Sequence, residues 1–443
     1  MSASRRRRLT PGRRDATLRA VRPRITDRNI KLVYGTIFLL GLAYGLAISV
    51  VALFLDSRGF GKEDLGSLAS WFALGIVAFS LPMGGFIRRF SARTTLIACL
   101  LGYIAAVVAL PFLPTYTALA VVRFVDGACS VGIWVACETI LLSRADKTHK
   151  AYVTSLYAVS IALGYIVGPL IAKGIVALAP MRTAFLVAGG IAFAAALVAT
   201  RLDPDVRTDD DAHAERDADA DADAGEEGGD EPAAGPTPSL TLLARIKTSC
   251  FATFAYGYFQ ASVVLFLPLY LRDEKGIAAD RTLLIPAFFA TGMLLASNPA
   301  GRLGDRFGHL LLMRGLGAVG TTMVLGFVFL DAYPAMCAAV FVAGATLASI
   351  SPVSLALQGV ITKPRDYSRA NAIYNAFYAA GMLLGPFISS RIYAKSGGGP
   401  MLYHLAALWS AFVVFTVVYC RDDPAARRRR AAADAQAARA PST

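Results

Sequence analysis

The segment from Ile30 to Leu55 carries one charged side chain, Lys31, and as a helix it is long enough to cross a bilayer core about 30 Å thick. Comparable apolar stretches of about 20 residues recur to near the C-terminal end. A chain built this way cannot bury its apolar surface in one water-soluble core. Its composition agrees, with 56% hydrophobic residues, 17% charged residues and a mean hydropathy of +0.53. A membrane β-barrel would need alternating segments about 10 residues long, and the sequence has none. Breaks at charge clusters and Pro/Gly turns predict twelve helices, six before and six after an acidic interruption. The predicted fold class is an all-α membrane protein of twelve transmembrane helices in two pseudo-symmetric six-helix bundles.

A net charge of +13 could suggest a nucleic-acid partner, but the basic residues follow the membrane instead. They cluster at both termini and in the connections around 88–93, 144–150, 302–309 and 363–369. These are alternate connections, so the positive-inside rule predicts that they and both termini are cytoplasmic, in a bacterial inner membrane. The six cysteines fall within predicted spans without CxxC spacing, as packing residues would. There is no Gly-x-x-x-x-Gly-Lys-Ser/Thr loop, HExxH helix or Cys/His cluster. Bond-making catalysis, a cofactor and a metal site are therefore not expected, and an ion gradient is the expected energy source.

The predicted organisation is a basic tail (1–29), a first bundle (30–201), an acidic disordered linker (202–247), a second bundle (248–420) and a basic tail (421–443). Like-charge repulsion and Ala/Gly/Pro content keep the linker from forming a core. The two bundles are an internal repeat. Gly164 and Gly381, Gly168 and Gly385, and Pro169 and Pro386 are each 217 residues apart. Pro82 with Pro299, Gly127 with Gly344 and Tyr157 with Tyr374 share that spacing. Two similar bundles can rock about a site near the membrane midplane, which points to transport by alternating access.

The loop GRLGDRFGH (Gly301 to His309), between the second and third helices of the second half, resembles the Gly-x-x-x-Asp-Arg-x-Gly signature of the major facilitator superfamily through Gly301, Asp305, Arg306 and Gly308. The resemblance implies the superfamily's fold and an acidic latch between Asp305 and the start of the fifth helix, near Ala151 to Ser155. The first-half counterpart, GFIRRFSAR, departs from the signature: Arg88 stands where the Asp would be and Ser91 where the Gly would be, with Arg89 adjacent. Arg123 to Gly127 resembles the family's Arg-x-x-Gln-Gly signature, with Asp126 in place of the Gln. Gly164, Gly168 and Pro169 resemble the antiporter signature of the exporting branches, although Lys173 and Gly174 stand where that signature continues with glycines.

At 100° per residue, Arg123, Asp126, Ser130, Trp134 and Glu138 share one face of the fourth helix. Ionisable groups inside a membrane are costly and face a cavity or a partner. Asp126 is thus read as a coupling group or as half of a structural ion pair with Arg123, and Glu138 as a gate or a partner for Arg89 or Arg306. Tyr44, Tyr256, Gln260, Gln358 and Asn375 are further cavity candidates, given that this family lines its cavity with the corresponding helices. Gly381, Gly385 and Pro386 mark the repeated bend. The resemblance implies a monomeric, proton-coupled exporter of a small organic solute. The alternatives are uptake of a sugar or organic acid, and a non-transporting membrane sensor or scaffold.

Overall fold

The computed structural model describes residues 27–144, 150–203, 238–363 and 366–419, and the predicted basic tails and most of the predicted linker lie outside them. Every regular element among the described residues is helical. The first half comprises α1 (Arg28–Ser57), α2 (Lys62–Phe90), α3 (Ala92–Ala109), α4 (Tyr116–Arg144), α5 (Lys150–Leu178) and α6 (Arg182–Ala199). The second comprises α7 (Ser239–Asp273), α8 (Ile285–Phe307), α9 (His309–Phe327), α10 (Tyr333–Ile361), α11 (Tyr367–Ser396) and α12 (Gly398–Val418). Eleven of these helices are long and apolar enough to cross a membrane, and α2, with Pro82 in its interior, makes twelve when its two arms count as one span.

Local chemistry sets the ends of the helices. The Asp27 carboxylate caps α1, accepting from the Asn29 N–H at 2.6 Å and the Ile30 N–H at 3.4 Å. Pro286 and Pro334 occupy the first turns of α8 and α10, where a missing N–H costs nothing. The Glu274 carboxylate accepts from the Gly398 N–H and so ties the end of α7 to the start of α12. One boundary differs from the sequence reading: α7 begins at Ser239, ahead of the expected Thr248, so residues 239–247 are helix rather than linker. Leu242, Ile246 and Cys250 recur at helical spacing and pack against Ala370 of α11, which extends the helix into the polar region.

The two halves pack in the same way. α1 lies on α5 as α7 lies on α11, α2 on α4 as α8 on α10, and α3 on α6 as α9 on α12. The halves meet along α2 with α11 and α5 with α8, so the cross-half seams also form a symmetric pair. Lipid tails are as apolar as leucine, and within a bilayer these contacts hold by close packing rather than by expulsion of water. On α6 the stripe Ala184, Ala188, Ala192, Ala195 and Ala199 is fully buried, giving a smooth face for α1 and α3.

The repeated Gly-x-x-x-Gly-Pro stretches mark the tightest of these crossings. A Cβ on Gly164 would lie 2.5 Å from the Gly41 carbonyl carbon, and one on Gly168 would lie 2.6 Å from the Leu46 nitrogen. In the second half a Cβ on Gly381 would lie 2.2 Å from the Phe254 carbonyl oxygen, and one on Gly385 would lie 2.4 Å from that of Tyr258. No side chain fits at these positions. Pro169 fills the step beyond, its Cδ 3.2 Å from where a Gly45 Cβ would stand. The motif therefore clamps α1 to α5, and its copy clamps α7 to α11, within each half rather than between halves.

Candidate functional site

The fourth helix carries an ion pair that the second half lacks. Arg123 and Asp126 are one turn apart, and the Arg123 guanidinium donates to the Asp126 carboxylate. Asp126 is 6% exposed. The guanidinium also lies 4.4 Å from the centroid of the Phe72 ring on α2, which faces its cationic plane. The α2–α4 crossing is close enough to permit this, since a Cβ on Gly127 would meet the Phe72 carbonyl oxygen at 2.0 Å. The repeat preserves that crossing at Gly292 and Gly344 but puts Val340 and Ala343 at the positions of the charged pair. Duplication kept the scaffold, and only the first half is charged.

A polar and aromatic shell covers the pair. Ser130, fully buried, donates to the Asp126 carbonyl at 2.6 Å and stands 3.4 Å from a carboxylate oxygen. The Tyr44 hydroxyl on α1 donates in turn to the Ser130 hydroxyl. The Tyr44 ring lies 4.8 Å from Tyr103 of α3, 6.2 Å from Trp134 and 6.3 Å from Tyr165 of α5. Tyr165 is within electrostatic reach of Asp126 on one side and of Tyr378 on the other, and so connects the halves. In the second half the Tyr256 and Tyr378 rings stack at 6.0 Å, and the Tyr378 hydroxyl donates to Gln260 at 3.1 Å. Gln358 is buried, and both its Oε1 and the Trp134 Nε1 have no hydrogen-bond partner. Each is a polar group that a solute or water can satisfy.

The structure gathers Arg123, Asp126, Trp134 and Tyr44 around one point, with Tyr256 and Gln260 facing them from the other half. Glu138 and Asn375 are not part of this cluster; both are exposed. Glu138 forms no ion pair with Arg89 or Arg306, whose guanidinium groups lie over Phe90 and Phe307. It shares the face of Asp126, but twelve residues along the helix put it about 18 Å away. Ser49 bonds to the Gly45 carbonyl of its own helix at 2.6 Å. The latch expected between Asp305 and the start of α5 is not formed. The Asp305 side chain is 75% exposed, and its ionic neighbour is His309, 3.2 Å away across the turn at Gly308 but outside hydrogen-bond geometry. Arg88 is exposed at the end of α2, and Gly301 lies in the last turns of α8.

A second charged constellation was not singled out from sequence. At the end of the bundle where α1 gives way to α2, the Lys62 ammonium lies 2.6 Å from Asp56 and 2.8 Å from Asp273 of the other half. Arg272 pairs with Asp273 at 2.6 Å and reaches back to Asp56. Two cations and two carboxylates thus bind the halves together at this end. A signal existed in the sequence, because Asp56 and Asp273 are 217 residues apart.

The matching helix pairs, the symmetric seams and a polar site between two bundles define a two-bundle membrane carrier. The chain belongs to the major facilitator superfamily, whose model matches residues 33–247 and 249–442. It is thus a multi-pass membrane transporter, from a superfamily of transporters rather than enzymes. The uncharacterized MFS-type transporter YcaD of Escherichia fergusonii is 22% identical over 375 residues, covering 83% of this chain and 90% of the relative. The Escherichia coli YcaD from strain IAI39 is 22% identical over 369 residues, covering 82% and 89%. Among solved structures, a POT family transporter in complex with a thioalcohol-conjugated peptide superposes with a TM-score of 0.72 at 10% identity, covering 89% of this chain and 96% of that one. The nucleoside transporter NupG superposes with a TM-score of 0.69 at 10% identity, covering 88% and 99%. At such identities the likeness is one of fold.

Proposed function

We propose that this chain is a secondary active transporter that exports a small organic solute in exchange for protons, acting as a monomer in a bacterial cytoplasmic membrane with both termini cytoplasmic. One observation carries the reading: a buried carboxylate, Asp126, is paired with Arg123 beneath tyrosines contributed by both halves. An unpaired buried charge costs several kcal/mol, so the pair holds while Asp126 is ionised and loosens when it takes up a proton. Arg123 is then an uncompensated cation, and it turns toward the solute or toward water. Proton uptake at Asp126 and solute contact at Arg123 and the tyrosine shell become mutually dependent, as exchange requires.

The clamp of Asp56, Lys62, Arg272 and Asp273 closes one end of the molecule, so access in this state is from the opposite end, where Glu138, Arg88 and Arg89 are exposed. The clamp must open for the site to face the other side. The tyrosines, the Trp134 indole and the amides of Gln260 and Gln358 suit an amphipathic or polar organic solute better than an inorganic ion. Export is favoured over uptake by the likeness of Gly164, Gly168 and Pro169 to the signature of exporting branches.

The test is solute flux in proteoliposomes under an imposed pH gradient, across a broad panel of organic solutes. Movement of solute against the proton flow supports exchange. Accumulation together with protons establishes uptake instead, and no movement of any solute favours a scaffold.

A further inference from the structure

We infer that the seam between α2 and α11 holds one acyl chain of an anionic phospholipid, with the lipid phosphate on Arg391. A groove of about 430 Å³ runs along this seam, with Ser67, Ser70, Trp71 and Leu74 on one wall and Leu384 and Phe387 on the other. The two walls belong to different halves of the protein. One water occupies about 30 Å³ of liquid, so the space exceeds ten waters, yet its lining offers water little to bind. The Tyr116 hydroxyl at its edge donates to Ser67 at 2.7 Å, and the Ser70 hydroxyl donates to the Leu383 carbonyl at 2.8 Å. The polar atoms of the groove are thus engaged with one another, and it presents mainly carbon.

Trp71, Leu384 and Phe387 are about two-fifths exposed on helices of transmembrane length, so the groove opens toward the hydrocarbon. The charge at its mouth selects the headgroup. Arg391, one turn beyond Phe387, folds back over that ring at 3.6 Å and donates to the Phe387 carbonyl at 2.7 Å. It has no carboxylate partner among the described residues, which leaves its remaining N–H groups for an anionic oxygen. Arg391 lies two residues from Tyr393, whose ring is 5.5 Å from the Lys62 ammonium, so the mouth is at the clamped end of the bundle near the membrane surface.

The groove depends on the seam being closed. The Gly66 and Ser390 backbones touch closely enough that a Cβ on Gly66 would lie 2.4 Å from the Ser390 side chain. Separating α2 from α11 at this end removes one wall. A lipid in the groove therefore favours the state closed at the clamp, whatever solute the central site carries.

The experiment reconstitutes the full chain into vesicles of phosphatidylcholine containing a minor fraction of lipid with brominated acyl chains, either phosphatidylglycerol or phosphatidylcholine, and reads tryptophan quenching. Trp71 lines the groove, and the chain has 3 tryptophans, so Trp71→Phe assigns the signal. Brominated phosphatidylglycerol is expected to quench Trp71 with about fivefold higher apparent affinity than brominated phosphatidylcholine, the factor for one basic side chain near an anionic surface. Arg391→Gln is expected to abolish the preference and Arg391→Lys to retain it. Leu74→Phe, which fills the groove without touching Arg391, is expected to weaken quenching by both lipids. Equal quenching by the two headgroups in the parent, or a preference that survives Arg391→Gln, overturns the proposal.

Discussion

Ser91 and Gly308 occupy the same place in the two halves, 217 residues apart, and both have positive φ, 75° and 99°. Each is the single residue between a second and a third helix of its half, where the chain reverses. Glycine adopts this conformation freely and a side chain does so at a cost of about 1–3 kcal/mol. Ser91 recovers part of that cost by capping α3, accepting from the Thr94 N–H at 3.3 Å.

Ser91→Gly is therefore expected to stabilise the protein by about 1 kcal/mol, because a glycine cap is only a few tenths weaker than a serine cap. Gly308→Ala is expected to destabilise by a similar or larger amount. Thermal unfolding of the purified protein in detergent reads both; a lower midpoint for Ser91→Gly contradicts the assignment of strain.

The glycines of the α1–α5 and α7–α11 crossings give a second expectation. Gly164→Ala and Gly381→Ala each force a methyl into backbone, at a cost of about 1–3 kcal/mol. Gly174→Ala, with nothing within 4 Å of the new methyl, is expected to leave stability unchanged or slightly raised. Equal melting temperatures for all three variants would show that the crossings are looser than described.

The clamp predicts a change in conformational balance. Its side chains are 19–30% exposed, so each pair contributes only about 0.5–1 kcal/mol. Lys62→Glu removes two pairs and places a third carboxylate beside Asp56 and Asp273. The state open at the clamped end is expected to become about tenfold more populated. A cysteine introduced at Ser70, which is buried against α11 in the closed state, should then react faster with a membrane-impermeant thiol reagent. An unchanged labelling rate contradicts the clamp.

The parts legible in the sequence were those governed by local spacing or by repetition. The spans follow from apolar length, and the Arg123–Asp126 pair follows from one helical turn. The 217-residue offset anticipated the symmetric crossings. Tyr103 and Tyr165 went unnoticed because they lie on α3 and α5, and nothing local to either helix shows that both face Tyr44. Helical periodicity gives a face but not a depth, so Glu138 was grouped with Asp126 although they are more than three turns apart. The Asp305 latch was inferred from a motif whose partner lies in the other half, a distance that no sequence spacing records.

The central claim is that Asp126 couples proton movement to solute movement through Arg123. The most direct measurement compares two fluxes for Asp126→Asn in proteoliposomes: net flux driven by a pH gradient, and solute exchange at equal pH on both sides. Asparagine keeps the shape and can still accept from Arg123, but it cannot release a proton. The account predicts that gradient-driven flux falls to background while exchange persists. Full gradient-driven flux in Asp126→Asn would contradict it.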